Sequence, residues 1–257
     1  MKDPNKRPKR VCSPRYAVLK AKKGKQLNKW ELEELAKSPE HAIEYCRVTE
    51  KDFPECEDAL WEEGDDGLLY KYFFGCAKKP NQKLEQFILV AGDNLLSWIT
   101  EYADTCLNSR WEKGEKKLLK NKQHGLYFIT EYQRRVVKGR WKEIESRLCK
   151  LNSKDHWQYS EIIERYFENC GSRDEDLEKV LLEKGKGRHL YWYARKCMKG
   201  RLPPELHSKM IMLSFGGKAN FAKKYLKEIA LRETSAINYL KTIPADERQM
   251  LLEKALS

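Results

Sequence analysis

No run of about 18 consecutive apolar residues occurs anywhere in the 257-residue chain, so no stretch reads as a membrane-crossing helix. The opening MKDPNKRPKRVCSPR lacks the apolar centre of a secretory leader, and the expectation is a cytoplasmic protein with no membrane partner. Glycine (14) and proline (9) are scarce, which disfavours a turn-rich sheet protein and favours long helices. The eight cysteines include no CxxC pair, and a chain of this length needs no staples, so reduced thiols are expected. The five histidines (41, 124, 156, 189, 207) sit near no serine or cysteine signature, and KGKGR (184 to 188) lacks the spacing of a phosphate-binding loop. No residue set nominates a catalyst, a metal site or a cofactor.

Charge is plentiful and unevenly placed. Residues 1 to 30 hold 11 Lys/Arg against one acid, residues 31 to 100 hold 7 against 16, and residues 101 to 257 hold 33 against 22. A basic arm therefore leads into an acidic stretch and then a basic remainder.

A ladder runs through the chain: YFFGC (72 to 76), YADTC (102 to 106), YQRRV (132 to 136), YFENC (166 to 170), YARKC (193 to 197) and FAKKY (221 to 225). Its first residues step by 30, 30, 34, 27 and 28, and AIEYC (42 to 46) is an earlier rung with Ala42 in the aromatic place. A spacing of four puts the tyrosine and the small residue on one side of a helix. After each rung comes a short polar corner and then a glutamate followed by apolar residues at +3 and +4, at Glu57, Glu85, Glu115, Glu145 and Glu178. This is a second amphipathic helix per unit. The corners Asn-Ser-Arg-Trp (108 to 111), Lys-Gly-Arg-Trp (138 to 141), Cys-Gly-Ser-Arg (170 to 173) and Lys-Gly-Arg-Leu-Pro-Pro (199 to 204) offer Gly or Asn for the left-handed residue that ends a helix.

Two short helices cannot bury their own apolar faces, so such hairpins must stack on their neighbours. The expected fold is all-α, an α-solenoid of six to seven tandem hairpins. Its parts would be a partly disordered basic arm (1 to 29), the repeats (30 to 243) and a C-terminal capping helix (244 to 257). The six-residue stretch SKDHWQ (153 to 158) reads as a loop insertion. YQRRVVKGRWKEIE (132 to 145) and YARKCMKGR (193 to 201) resemble the short helical-hairpin repeats, written roughly Tyr-Ala, Lys-Gly-Arg-Trp, Glu, found in phage and bacterial proteins of unassigned role. The likeness to tetratricopeptide hairpins is more distant. Asn81 and Asp174 stand where the Lys-Gly-Arg-Trp pattern has Trp, and neither resemblance implies a chemistry.

The tyrosines and the repeated cysteines read as core, and the glutamates as first-turn residues favoured by capping and the helix dipole. Charge carries the functional reading. Lys6, Arg7, Lys9, Arg10, Lys22 and Lys23 in the arm, with Arg134, Arg135, Lys138, Arg140, Arg195, Lys196, Lys199 and Arg201 at matching repeat positions, are the candidate anion contacts. Two readings follow. One is a non-enzymatic scaffold that binds a protein through its concave face or edge. The other is a nucleic-acid binder that uses the arm and a basic stripe, with an aromatic such as Trp157 or Trp192 stacking on a base.

Overall fold

The computed structural model describes residues 13–121, 125–150, 159–215, 220–230 and 244. Among these residues every regular element is helical, with fifteen α-helices joined by π and 3-10 turns, and no strand. No helix among them is long and apolar enough to cross a membrane. The chain divides into two compact units, Met1–Gly114 and Glu115–Ser257.

In the first unit the helices are α1 (Pro14–Lys22), α2 (Lys29–Ala36), α3 (Pro39–Thr49), α4 (Glu57–Glu63), α5 (Asp66–Tyr72), α6 (Gln82–Val90) and α7 (Leu96–Glu101). Helix α1 falls inside the segment read as a basic arm, yet it packs on α3 and buries Ala17 and Val18. A capping box starts α2: the Asn28 side chain accepts the Glu31 N–H (3.0 Å) while the Glu31 carboxylate accepts the Asn28 N–H (2.8 Å). Lys20 Nζ, 2.7 Å from Glu31, ties the two helices together. Asn81 caps α6 by accepting the Leu84 N–H at 3.0 Å, which is what a residue other than Trp does at that corner.

Helix α8 (Glu112–Lys120) joins the two units in sequence; α9 (Gly125–Tyr132), α10 (Lys142–Lys150), α11 (Tyr159–Cys170), α12 (Glu175–Lys184), α13 (Gly187–Tyr193), α14 (Pro204–Phe215) and α15 (Asn220–Tyr225) follow. Within the second unit each first helix packs on the next first helix (α9 on α11, α11 on α13, α13 on α15), and second helices do likewise (α10 on α12, α12 on α14). Asp174 caps α12 by accepting the Leu177 N–H at 3.0 Å.

The corners hold a feature absent from the sequence reading. Phe73–Ala77, Tyr102–Leu107, Gln133–Val137, Ala194–Met198 and Leu226–Ala230 are π-helical. Each π turn carries one residue more than an α turn, as in the bonds Lys78 N–H to Phe73 C=O (2.9 Å) and Lys138 N–H to Gln133 C=O (2.7 Å). The left-handed residue then falls six places after the tyrosine, at Lys78, Asn108, Lys138 and Lys199. Helix α11 lacks the π turn; its Gly171 N–H bonds Phe167 C=O in the α manner (3.2 Å), and the left-handed residue comes one place earlier, at Gly171 itself. This corrects the expectation for Lys-Gly-Arg: lysine, not the glycine after it, takes the positive φ at 138 (54°) and 199 (52°).

The core follows the two ladders. Tyr72, Tyr102, Tyr132, Tyr166 and Tyr193 are at most 1 % exposed, as are Leu60, Ile88, Leu118 and Leu181 three residues after their glutamates. The last rung is shifted: Tyr225 is fully buried and precedes the π turn, whereas Phe221 is half-buried, so the equivalent residue lies four places beyond the one the FAKKY alignment selects. Four residues after a glutamate burial varies: Cys149 is buried, Trp61, Leu89 and Leu119 are half-buried, and Leu182 is 41 % exposed. Gly114 shows how tightly a corner closes, since a Cβ there would lie 2.4 Å from the Trp111 ring and 2.6 Å from Ile99.

The segment read as a loop insertion (153 to 158, with Trp157) and the C-terminal capping helix apart from Pro244 lie outside the described residues.

Candidate functional site

The two ladders meet. Each buried tyrosine reaches the second helix of the preceding hairpin and donates its hydroxyl proton to the glutamate there: Tyr102 to Glu85 (2.9 Å), Tyr132 to Glu115 (2.9 Å), Tyr166 to Glu145 (2.9 Å) and Tyr193 to Glu178 (2.8 Å). Tyr72 shares its proton between Asp52 (2.8 Å) and Glu57 (3.3 Å). The glutamate stands seven residues after the left-handed corner residue in every case: Glu50 to Glu57, Lys78 to Glu85, Asn108 to Glu115, Lys138 to Glu145, Gly171 to Glu178. Some hydroxyls also accept the backbone N–H that begins that second helix, from Asn81 to Tyr102 (3.1 Å) and from Asp174 to Tyr193 (3.2 Å). In the last rung His207 replaces the glutamate, its Nδ1 2.7 Å from the Tyr225 hydroxyl, which accepts the Leu202 N–H at 3.2 Å. Burial and the facing carboxylates push the hydroxyls of Tyr72, Tyr102, Tyr166 and Tyr193 above the ordinary phenol range. The glutamates thus act structurally, but as hydrogen-bond acceptors from the next hairpin rather than only as first-turn charges.

The cysteine of a rung points back the same way, to the carbonyl one residue after the preceding rung's first position: Cys76 to Ile43, Cys106 to Phe73 and Cys197 to Phe167. Val136 cannot make that backward bond; Gln133, fully buried in the same rung, reaches the other way, its amide donating to the carbonyl of Gly139 (2.7 Å) and forward to that of Tyr166 (3.3 Å) in the following rung. Burial raises the thiols of Cys56, Cys170 and Cys197 to about 12. The seven cysteines among the described residues are free thiols, and no metal-ligand cluster occurs among those residues. The void lined by Glu145, Cys149, Tyr166 and His189 has a volume of about 10 Å³, the size of one water at most.

The basic candidates separate into groups. Lys6, Arg7, Lys9 and Arg10 lie outside the described residues. Lys22 pairs with Glu44 at 2.7 Å across two exposed side chains, and Lys23 is exposed at the end of α1. Arg134 pairs with Glu131 on its own helix (2.5 Å), Arg135 is half-buried, and Lys138 is the exposed corner residue. Arg140 faces inward: with 12 % of its side chain exposed, it forks onto Glu145 (2.5 and 2.9 Å) and reaches Asp174 (2.5 Å). Those carboxylates raise its already high pKa. Arg201 donates to the Ala230 carbonyl at 2.8 Å.

Arg195, Lys196 and Lys199 belong to a different setting. Arg195 donates to the Tyr191 hydroxyl (2.7 Å), lies 3.6 Å from Glu228, and sits 5.5 Å from the centre of the Trp192 ring. Lys196 pairs with Glu164 (3.0 Å) and Glu168 (3.3 Å) and stands 5.8 Å from the same indole. Phe221, read from sequence as a core rung, is instead flanked by Arg188 and Lys224, each 5.9 Å away, and its ring lies 5.7 Å from Tyr191. Arg188 and Phe221 were not among the sequence candidates; the aromatic run LYWY beside KGKGR was the available signal. Lys199 is the exposed corner residue.

No family model, curated protein or solved structure matches this chain.

Proposed function

We propose that the protein is a non-enzymatic tandem-hairpin scaffold that holds a protein partner on its exposed helix faces. The observation that carries this reading is the recurrent tyrosine-to-carboxylate bond: in both units the buried tyrosines and the glutamates that recur in register are committed to one another between hairpins. What varies from unit to unit is the outer surface, the part a repeat protein uses for binding. In the first unit this surface carries exposed Val90 (87 %) and Tyr70 (37 %) together with exposed Glu62, Glu63, Asp65 and Asp66, which suits a partner with apolar and basic character.

The finer architecture belongs to the same reading. The hairpins continue in tandem through both units as an α-solenoid, in keeping with the resemblance to short helical-hairpin repeats. Small-angle scattering tests it: a compact globule of this length has a radius of gyration of about 18 Å, and a solenoid exceeds that clearly. The binding reading is tested by capturing partners with the wild-type chain and with Val90→Asp and Tyr70→Asp variants. Proteins retained by the wild type and lost by both variants support it. A captured set identical across all three rules it out.

A further inference from the structure

The segment 184 to 201 contains seven Lys/Arg and no Asp or Glu. It forms α13 and the π turn Ala194–Met198, and it packs against α15, which brings Lys223 and Lys224. Two rings lie among these cations. Trp192 is half-buried, with Arg195 and Lys196 5.5 and 5.8 Å from its centre. Phe221 is half-buried, with Arg188 and Lys224 each at 5.9 Å. Both rings contact buried Tyr191, at centroid distances of 5.0 and 5.7 Å, so one rigid ring fixes their mutual placement.

We propose that the face made by Trp192 and Phe221 with Arg188, Arg195, Lys196 and Lys224 binds single-stranded nucleic acid, bases stacking on the two rings and phosphates lying on the cations. Three carboxylates face this group: Glu228 beside Arg195, and Glu164 and Glu168 beside Lys196. They hold two of the cations in place against the indole without matching the cationic charge of the segment. A ring flanked by cations suits an unstacked base and the phosphate next to it, whereas a duplex offers the phosphates but hides the base faces. An acidic peptide would satisfy the charges and leave the rings without a partner of matching shape. The site is independent of the protein-scaffold reading, since its residues lie in the second unit and its assay needs no protein partner.

The test is fluorescence anisotropy of the full chain with a labelled oligothymidylate, with the same strand in a duplex, and with polyglutamate, at low and physiological salt. Base stacking is worth about 1–3 kcal/mol per base, so Trp192→Ala and Phe221→Ala should each weaken single-strand binding by about 5- to 150-fold. Trp192→Phe, which keeps a ring and guards against loss of folding, should stay within a few-fold of wild type. Replacing Arg188 and Lys224 by Gln should flatten the salt dependence by about 0.7 in log–log slope per lost phosphate contact. A parallel chain with Lys6, Arg7, Lys9 and Arg10 changed to Gln should lose salt-sensitive affinity and keep the dependence on both rings. Unchanged affinity in the two alanine variants, tighter binding of the duplex, or polyglutamate binding as tight as oligothymidylate would each overturn the proposal.

Discussion

Changing Arg140 to Met separates two roles that the sequence alone leaves merged, a phosphate contact and an internal tie. The guanidinium bonds Glu145 twice, at 2.5 and 2.9 Å, and Asp174 at 2.5 Å, and the Glu145 side chain is only 4 % exposed. Removing the cation leaves Glu145 charged, enclosed and held by the Tyr166 hydroxyl alone among these contacts. Breaking one side of a buried pair costs about 3–5 kcal/mol. Asp174, with 36 % of its side chain exposed, recovers part of its hydration, which puts the expected loss near the lower end, about 3 kcal/mol. For a chain of this size that corresponds to roughly 6–12 °C in midpoint. Urea titration followed by circular dichroism reads the loss directly. Arg140→Lys should rescue little, because an ammonium cannot fork onto one carboxylate while reaching another. The double variant Arg140→Met with Glu145→Gln should recover much of the stability, since no unpaired charge remains. A single-variant loss below about 1 kcal/mol, with a drop in polyanion affinity in its place, would refute the structural assignment.

Tyr132→Phe deletes the hydroxyl that serves Glu115, both residues being buried, and should cost about 1.5–3 kcal/mol in the same urea assay. Gly114→Ala should destabilise by about 1–3 kcal/mol although alanine is the better helix former, because the added methyl meets Trp111 and Ile99; a gain in midpoint would contradict the close approach. His189 and His207 are buried and neutral, with pKa values lowered from 6.5 to about 4 by burial. Because the unfolded chain binds their protons first, their contribution is fully present above pH 6.5 and is lost as the pH falls toward 4, by about 3 kcal/mol each. His189→Asn should flatten that slope in a pH series of urea midpoints, and an unchanged slope would place the titration elsewhere. The neighbouring Cys46 thiol and the nearby Arg47 and Lys78 lower the pKa of the half-buried Cys76, whereas burial raises those of Cys56, Cys170 and Cys197, so iodoacetamide followed by peptide mapping should label Cys76 first.

Periodicity revealed the helices because burial acts on every turn alike: Tyr72 through Tyr193 are all core, as their spacing demands. The partnership between ladders was not legible, since a tyrosine and a glutamate fifteen to twenty-one residues apart look like two separate helical patterns until the corner folds them together. The π turns were hidden for a related reason. One inserted residue leaves the apolar spacing within a rung intact and moves only the corner, and glycine at 139 and 200 drew attention from the lysines before them. Register failed at FAKKY because an aromatic four residues before Tyr225 imitates the rung it precedes. Charge was legible as a sum but not as a set of partners. Arg140 and Arg134 share the same stretch of sequence, yet one is folded inward onto two carboxylates and the other pairs on an exposed helix surface.

The π turn and the left-handed lysine are two parts of one device. A positive φ at a non-glycine residue costs about 1–2 kcal/mol, and the same corner would cost less with glycine. Lysine nonetheless holds it at 78, 138 and 199, where the inserted residue has closed an i to i+5 bond, and glycine holds it at 171, where the helix stays α. The inserted residue ties the corner by its hydrogen bond rather than by conformational freedom, although a charged residue can hold that position without it, as Glu50 does (φ 55°) after the α-helical Pro39–Thr49. From that position the chain counts seven residues to the glutamate that receives the next tyrosine, so the corner sets the register of the bond between hairpins. The corner and its two ladders therefore make the tyrosine-to-carboxylate bonds within each unit, and the outer surface takes no part in them. That division of labour leaves the Trp192 and Phe221 face free to differ from every other rung.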